Sequence, residues 1–222
     1  MWIFFQRLRS FGKTGRAPRG RLHRAGFTLV ELLVVSAIIV ILTTVLLLRQ
    51  STFDSSTILR SVAYSVALSV RQAQVYGTSV LGTASGGSIQ YATAYGLYFN
   101  RSNPTTYALF ADFNSNGVYD ASTETLKVFS LTNGFSLADA CATLSSGANR
   151  CLGSHDSSGL GTTASLSILF RRPNPDAVFR TEIGGESYTS AWVGVQSQNK
   201  TLRSILVTST GQISVQVLGT MP

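Results

Sequence analysis

The chain has 222 residues, of which 44% are hydrophobic and 13% charged, and its net charge at pH 7 is +8. This apolar content excludes a disordered tail, and the length is sufficient for a membrane helix and one globular domain. Residues 1–26 contain seven of the 18 basic side chains and none of the 10 acidic ones, so residues 27–222 carry a net charge of only +1. The high overall charge is therefore no argument for a nucleic-acid-binding domain.

A long apolar segment follows the basic arm at residues 26–48, and residues 32–48 contain no charged side chain. The segment reaches the roughly 20 residues that a helix needs to cross a bilayer. A secretory signal peptide would have a shorter core, of about 7 to 15 residues, followed by a small-residue cleavage site. The basic arm favours a cytoplasmic N-terminus and an exported C-terminal part. One carboxylate, Glu31, lies in the segment, and its cost in hydrocarbon predicts a functional role and a cationic partner.

Apolar residues next recur at three- and four-residue spacing, beyond a polar stretch at residues 49–56. This stripe consists of Leu59, Val62, Ala63, Val66, Val70 and Ala73. The spacing predicts an amphipathic helix that continues the apolar one and ends near Gly77. The alternative is two separate helices, broken near residues 51–56.

Short β-like segments between turn residues occupy the remainder of the chain. The predicted strands cover residues 94–100, 107–111, 125–131, 165–170, 191–196, 203–209 and 212–217. Thr210 and Gly211 predict a hairpin between the last two strands. Because no internal repeat or second linker is apparent, the pattern predicts one α+β domain, in which a long N-terminal helix packs against an antiparallel sheet.

Cys141 and Cys151 are the only cysteines and enclose nine residues. If the domain is exported, we expect them to form a disulfide. The alternative is a metal site, to which His155 would add one ligand. Two cysteines and one histidine leave a zinc site incomplete, however.

Oxygen-bearing side chains alternate at residues 112–120 in the manner of a calcium loop. The candidate ligands are Asp112, Asn114, Asn116, the Val118 carbonyl, Asp120 and Glu124. Gly117 would permit the sharp turn, but Thr123 occupies the position where a calcium loop has its bidentate acid, one residue before Glu124. Calcium is therefore one interpretation, and a turn between two strands, for which Asn, Asp and Gly are also suited, is the other.

Arg171, Arg172 and Arg180 form the only basic cluster of residues 27–222, near Phe170 and Phe179. Basic and aromatic side chains together bind single-stranded nucleic acid. The alternative is a solvated strand end, neutralised by Asp176 and Glu182.

The sequence predicts no catalytic residues. His155, Asp156 and Ser157 are adjacent in the chain, whereas the members of a catalytic triad usually come from different elements. The sequence also lacks a glycine-rich phosphate loop with a lysine. We therefore expect a protein that is not an enzyme.

Residues 26–35, GFTLVELLVV, resemble the processing motif of type IV prepilins and type II secretion pseudopilins, in which a basic leader ends in glycine and a glutamate lies inside an apolar helix. The resemblance implies that a prepilin peptidase cleaves between Gly26 and Phe27 and methylates the new Phe27 amine. It also implies that Glu31 meets the N-terminal amine of a neighbouring subunit during assembly. The resulting organisation is a cleaved leader (1–26), a transmembrane and assembly helix (27–48), its amphipathic continuation (49–77) and an exported β domain (78–222).

The rest of the chain is more loosely similar to the H-type minor pseudopilins and the T-type fimbrial minor pilins, through Phe170-Arg171-Arg172-Pro173 and the final hairpin. The resemblance implies a filament subunit whose partners are the prepilin peptidase, other subunits, the inner-membrane assembly platform and membrane lipid. Some relatives take part in DNA uptake, so a DNA-binding minor pilin is one alternative. A membrane-anchored structural protein that never polymerises is the other.

Overall fold

The structure is a computed structural model that describes residues 26–79, 82–85, 88–153, 155 and 161–217. The leader predicted at residues 1–26 lies outside these ranges except for Gly26. The chain divides into two units, with the boundary between Leu48 and Arg49.

One helix, α1, spans Leu29–Thr78 and so ends one residue beyond the predicted end. Residues 51–56, where the alternative requires a break, belong to this helix. In its second half the predicted apolar stripe is confirmed, because Leu59, Ala63, Val66, Val70 and Ala73 are fully buried. Arg60 and Arg71, on the predicted polar side, are exposed.

Twelve strands follow α1 in the part of the chain that the structure describes. They are β1 (Gly82–Ser85), β2 (Ser88–Tyr91), β3 (Ala94–Asn100), β4 (Thr106–Asp112), β5 (Thr125–Ser130), β6 (Ser136–Leu144), β7 (Asn149–Cys151), β8 (Ser165–Arg171), β9 (Ala177–Thr181), β10 (Tyr188–Gln196), β11 (Leu202–Thr208) and β12 (Ile213–Val217). Two five-stranded antiparallel sheets result, with the orders β12-β11-β10-β6-β7 and β5-β4-β3-β8-β9, and β1 and β2 form a separate pair.

All seven predicted strands are present, and the α+β class is confirmed. The hairpin at Thr210 and Gly211 is confirmed as well, since β11 and β12 pair directly on either side of it. Gly211 has a φ of +79° and donates its N–H to the Thr208 carbonyl at 2.9 Å. Strands β1, β2, β6, β7 and β9 were not predicted, and the domain has two five-stranded sheets where one was expected.

A single apolar cluster joins the second half of α1 to both five-stranded sheets. Val66 and Val70 of α1 belong to it, as do Leu97 and Ile168 from one sheet and Val193 from the other. All five side chains are fully buried. This core fixes the ends of β4, β5, β8 and β9, where the polar side chains singled out in the sequence are found.

Candidate functional site

The N-terminal end of α1 is preceded by Gly26, Phe27 and Thr28, which are not helical. Thr28 caps the helix, because its Oγ1 accepts a hydrogen bond from the Glu31 N–H at 3.2 Å and its carbonyl accepts one from the Leu32 N–H at 3.1 Å. The Thr-x-x-Glu spacing is the sequence signature of such a cap, which was not predicted. The helix therefore begins directly beyond the expected cleavage position.

The first part of α1 exposes apolar side chains all round. Its 19 residues Leu29–Leu47 are long and apolar enough to span a membrane, and none of them is buried within the chain. Phe27 is 80% exposed. Glu31 is exposed too, and its carboxylate has no hydrogen-bond or ion-pair partner among the described residues. A helix of this kind requires lipid or other apolar helices around it.

The candidate calcium ligands lie in the connection between β4 and β5. Asp112 is the last residue of β4 and Glu124 directly precedes β5, and their relative exposures are 0% and 1%. The Ala111 N–H donates to the Glu124 carbonyl at 2.9 Å, which holds the two ends of the loop together. Glu124, whose position in the motif left its role open, is thus brought to the same end of the loop as Asp112.

Each of these two buried carboxylates has one oxygen with a partner and one without. Asp112 Oδ2 accepts the Gly117 N–H at 3.0 Å, and Glu124 Oε2 accepts the Asp120 N–H at 3.0 Å. Asp112 Oδ1 and Glu124 Oε1 are buried without a hydrogen-bond partner among the described residues. Burial raises the pKa of the Glu124 carboxyl, the backbone N–H groups of Asp120, Phe113 and Asn114 lower it, and the nearby Asp112 carboxylate raises it.

The exposed part of the loop is a series of turns. Asn114 Oδ1 accepts the Asn116 N–H at 3.0 Å, and Asn116 Oδ1 accepts the Val118 N–H at 2.7 Å. Asp120 Oδ1 accepts the N–H and the hydroxyl of Ser122 at 2.9 and 2.7 Å, and these hydrogen bonds lower the pKa of Asp120. The Asp120 carboxylate is therefore engaged with Ser122, whereas Asp112 and Glu124 each retain a buried oxygen.

The basic cluster separates into two exposed arginines and one half-buried arginine. Arg171 in β8 and Arg180 in β9 line one groove beside Asn116 and Gly117. Neither guanidinium forms an ion pair with a described residue. Arg172 instead donates from Nη2 to the Ala92 carbonyl at 3.0 Å.

The structure corrects one expectation about this cluster, and the neutralisation of the arginines by Asp176 and Glu182 stays a prediction. Phe170 and Phe179 are 0% and 4% exposed and belong to the apolar core, so neither ring is free to stack on a base. Glu182 accepts the Ala164 N–H at 2.6 Å and forms no ion pair with a described arginine. The groove is therefore basic without being aromatic.

The predicted disulfide is confirmed. Cys141 and Cys151 lie opposite each other in the β6–β7 register and are bonded to each other. Asp139 is close to both sulfurs, but the disulfide leaves no thiolate to bind a metal. The buried Asp139 carboxylate instead accepts the Gly153 N–H at 2.8 Å and lies 2.8 Å from His155 Nδ1. His155 is thus paired with an acid that no sequence motif indicated.

Comparison with known proteins gives one match. The family model of the prokaryotic N-terminal methylation motif matches residues 21–47. No curated protein and no solved structure matches the chain. The matched segment contains Gly26, Phe27, Glu31 and all of the exposed apolar segment Leu29–Leu47. The chain therefore carries the prepilin-type N-terminal signature, the one found in type IV pilin-like and pseudopilin-like proteins.

Proposed function

We propose that the chain is a minor pilin or pseudopilin that enters a type IV pilus or type II secretion filament through its N-terminal helix. Prepilin peptidase would cleave between Gly26 and Phe27 and methylate the Phe27 amine. The observation that carries the proposal is the segment Leu29–Leu47, which matches the signature and has no side chain buried in its own chain. Inner-membrane lipid would surround this segment before assembly, and the helices of other subunits would surround it afterwards.

Glu31 supports this proposal because its carboxylate has no partner among the described residues. The Thr28 cap occupies the Glu31 backbone N–H and leaves the carboxylate available. A lone carboxylate in hydrocarbon costs roughly 3 kcal/mol, and the Phe27 amine of a neighbouring subunit would neutralise it. The ion pair would form only on delivery by the assembly platform, so it would both favour assembly and fix the register between subunits.

Substitution of Glu31 tests the proposal. We expect Glu31→Gln and Glu31→Ala to insert and to be cleaved, but to enter filaments at least about tenfold less than the wild type, because neither variant offers a carboxylate. The measurement is the amount of the protein in sheared filaments relative to that in the membrane. Ser36→Ala, a change at another exposed position of α1, serves as the control.

The glutamine variant also separates assembly from helix capping, since a capping box accepts either Glu or Gln. Normal incorporation of Glu31→Gln would contradict the pairing role. A cleaved wild-type chain that stays in the membrane fraction would favour the anchored protein that never polymerises.

Binding of single-stranded DNA is a second candidate function, favoured by the exposed groove that Arg171 and Arg180 line. Two unpaired guanidinium groups would attract phosphates with a marked dependence on salt. The test is gel retardation of an oligothymidylate by the detergent-solubilised chain at low and at physiological salt. We expect the double variant Arg171→Ala with Arg180→Ala to lose retardation and Arg60→Ala, on α1, to retain it. If the wild type gives no retardation at low salt, this function is excluded.

A further inference from the structure

The two buried acids at the ends of the β4–β5 loop have no counter-ion among the described residues. Asp112 is 0% and Glu124 is 1% exposed, and neither forms an ion pair with a described residue. An ionised carboxylate without a counter-ion is costly to bury, because the interior does not replace its hydration. The carboxylates of Asp112 and Glu124 are also close enough to repel each other, which raises the free-energy cost of burying both in the ionised form.

The oxygens without partners point to a missing ligand of positive charge. Asp112 Oδ1 and Glu124 Oε1 are buried and accept no hydrogen bond from a described residue. The second oxygen of each carboxylate is held by a loop N–H, that of Gly117 for Asp112 and that of Asp120 for Glu124. Both side chains are therefore fixed against the inside of the same loop, with one oxygen of each left over.

The chemistry of the neighbouring groups selects the kind of cation. The loop offers carboxylate, amide and carbonyl oxygens, which are the ligands of hard cations. Among the described residues of the loop no histidine or cysteine is present, so zinc and copper are poorly matched. Calcium takes six to eight oxygens in flexible geometry, whereas magnesium demands a near-ideal octahedron. An irregular loop with two acids and several neutral oxygens suits calcium better.

We propose that the β4–β5 loop binds one calcium ion between the carboxylates of Asp112 and Glu124, with oxygens of Asn114, Asn116 and Val118 completing the site. Glu124 supplies the closing acid, one residue beyond its position in an ordinary calcium loop. The Glu124 carbonyl accepts the Ala111 N–H, so the main chain of Glu124 lies beside the start of the loop despite this shift. The ion would join the last residue of β4 to the residue that precedes β5.

The site does not depend on filament assembly, so it is tested separately on the full chain purified in detergent and stripped with EDTA. We expect calorimetric titration with calcium chloride to give about one ion per chain, with a Kd on the order of 10⁻⁴ to 10⁻³ M, as in extracellular modules. Calcium at about a hundredfold excess over the Kd should raise the Tm by about 5 °C, and magnesium should raise it much less.

Substitution of the acids locates the ion. Asp112→Asn and Glu124→Gln keep the size of the side chain and remove its charge, so each should weaken calcium binding at least about tenfold. Because each substitution also removes an unpaired buried charge, the Tm in EDTA should stay equal to that of the wild type or rise. Asp176→Asn, at an exposed acid outside the loop, should bind calcium like the wild type.

Three results would overturn the proposal. The first is a wild-type chain that takes up no calcium and has the same Tm in calcium and in EDTA, which would mean that a shared proton satisfies the two carboxylates. The second is calcium uptake that is unchanged in Glu124→Gln and in Asn116→Ala. Asn116 lies in the exposed part of the loop, so the Asn116→Ala variant tests the site even if Glu124→Gln fails to fold. The third is an equal loss of binding in Asp176→Asn, which would indicate nonspecific attraction to acidic groups.

Discussion

The buried Arg150 and the half-buried Glu186 form an ion pair that ties strand β7 to the residues preceding β10. Arg150 is 1% exposed, and its Nε and Nη2 both donate to the Glu186 carboxylate, the first at 3.2 Å. Its Nη1 donates to the Gly161 carbonyl at 2.9 Å, so a third segment joins the network. The Glu186 carboxylate raises the pKa of Arg150, mainly through the hydrogen bond between them.

Removal of one member of this pair should be strongly destabilising. We expect Glu186→Gln to lower the free energy of unfolding by about 3 kcal/mol, because it leaves the Arg150 guanidinium buried without a counter-ion. Chemical denaturation of the purified chain measures the loss. Glu182→Gln, at an exposed glutamate, is the matched control and should change stability by less than about 0.5 kcal/mol.

The disulfide closes a short loop between β6 and β7. Replacing Cys141 and Cys151 by alanine should lower the free energy of unfolding by about 2 to 3 kcal/mol, the value expected from the loop entropy of the unfolded chain. Thermal unfolding with and without a reductant measures it: the wild type should lose stability on reduction, and the double variant should be insensitive. Equal sensitivity in both proteins would contradict the assignment.

Gly77, in the last turn of α1, permits a close approach of the helix to β8. A Cβ at this position would overlap the carbonyl oxygen of Phe170. We therefore expect Gly77→Ala to destabilise the domain by about 2 kcal/mol through steric overlap, despite the better helix propensity of alanine. Gly184→Ala, where a Cβ meets no atom within 4 Å, should be close to neutral in the same melting experiment.

The parts of the fold that were predicted are those with strong periodicity. The apolar stripe of α1 and the alternation in β11 and β12 have a period that matches one buried face. Strand β6 was missed because its sequence, SLADACATL, is rich in alanine and has only one β-branched side chain, that of Thr143. Its central residues are buried on both faces, by Trp192 and the disulfide on one side and the main core on the other. Strand β9 was missed although its residues alternate between buried and exposed.

Different parts of the candidate sites were accessible to sequence analysis to different degrees. Gly26, Phe27 and Glu31 form a local motif, so their spacing alone was sufficient to predict the processing site. The burial of Asp112 and Glu124 at one end of the loop could not be predicted from the sequence, because it results from the pairing of β4 with β5. The separation of Arg172 from Arg171 and Arg180 also depends on the fold, since Arg171 is the last residue of β8 whereas Arg172 lies beyond the strand and donates to the Ala92 carbonyl.

The mass of the mature N-terminal peptide tests the central claim most directly. The chain would be expressed with and without a prepilin peptidase, and the N-terminal peptide would be identified by mass spectrometry. The account predicts a peptide that begins with N-methylated Phe27, present only with the peptidase and absent in a Gly26→Val variant. A retained leader in the presence of the peptidase, or a cut beyond Leu48, would contradict the account and would remove the basis for the role of Glu31.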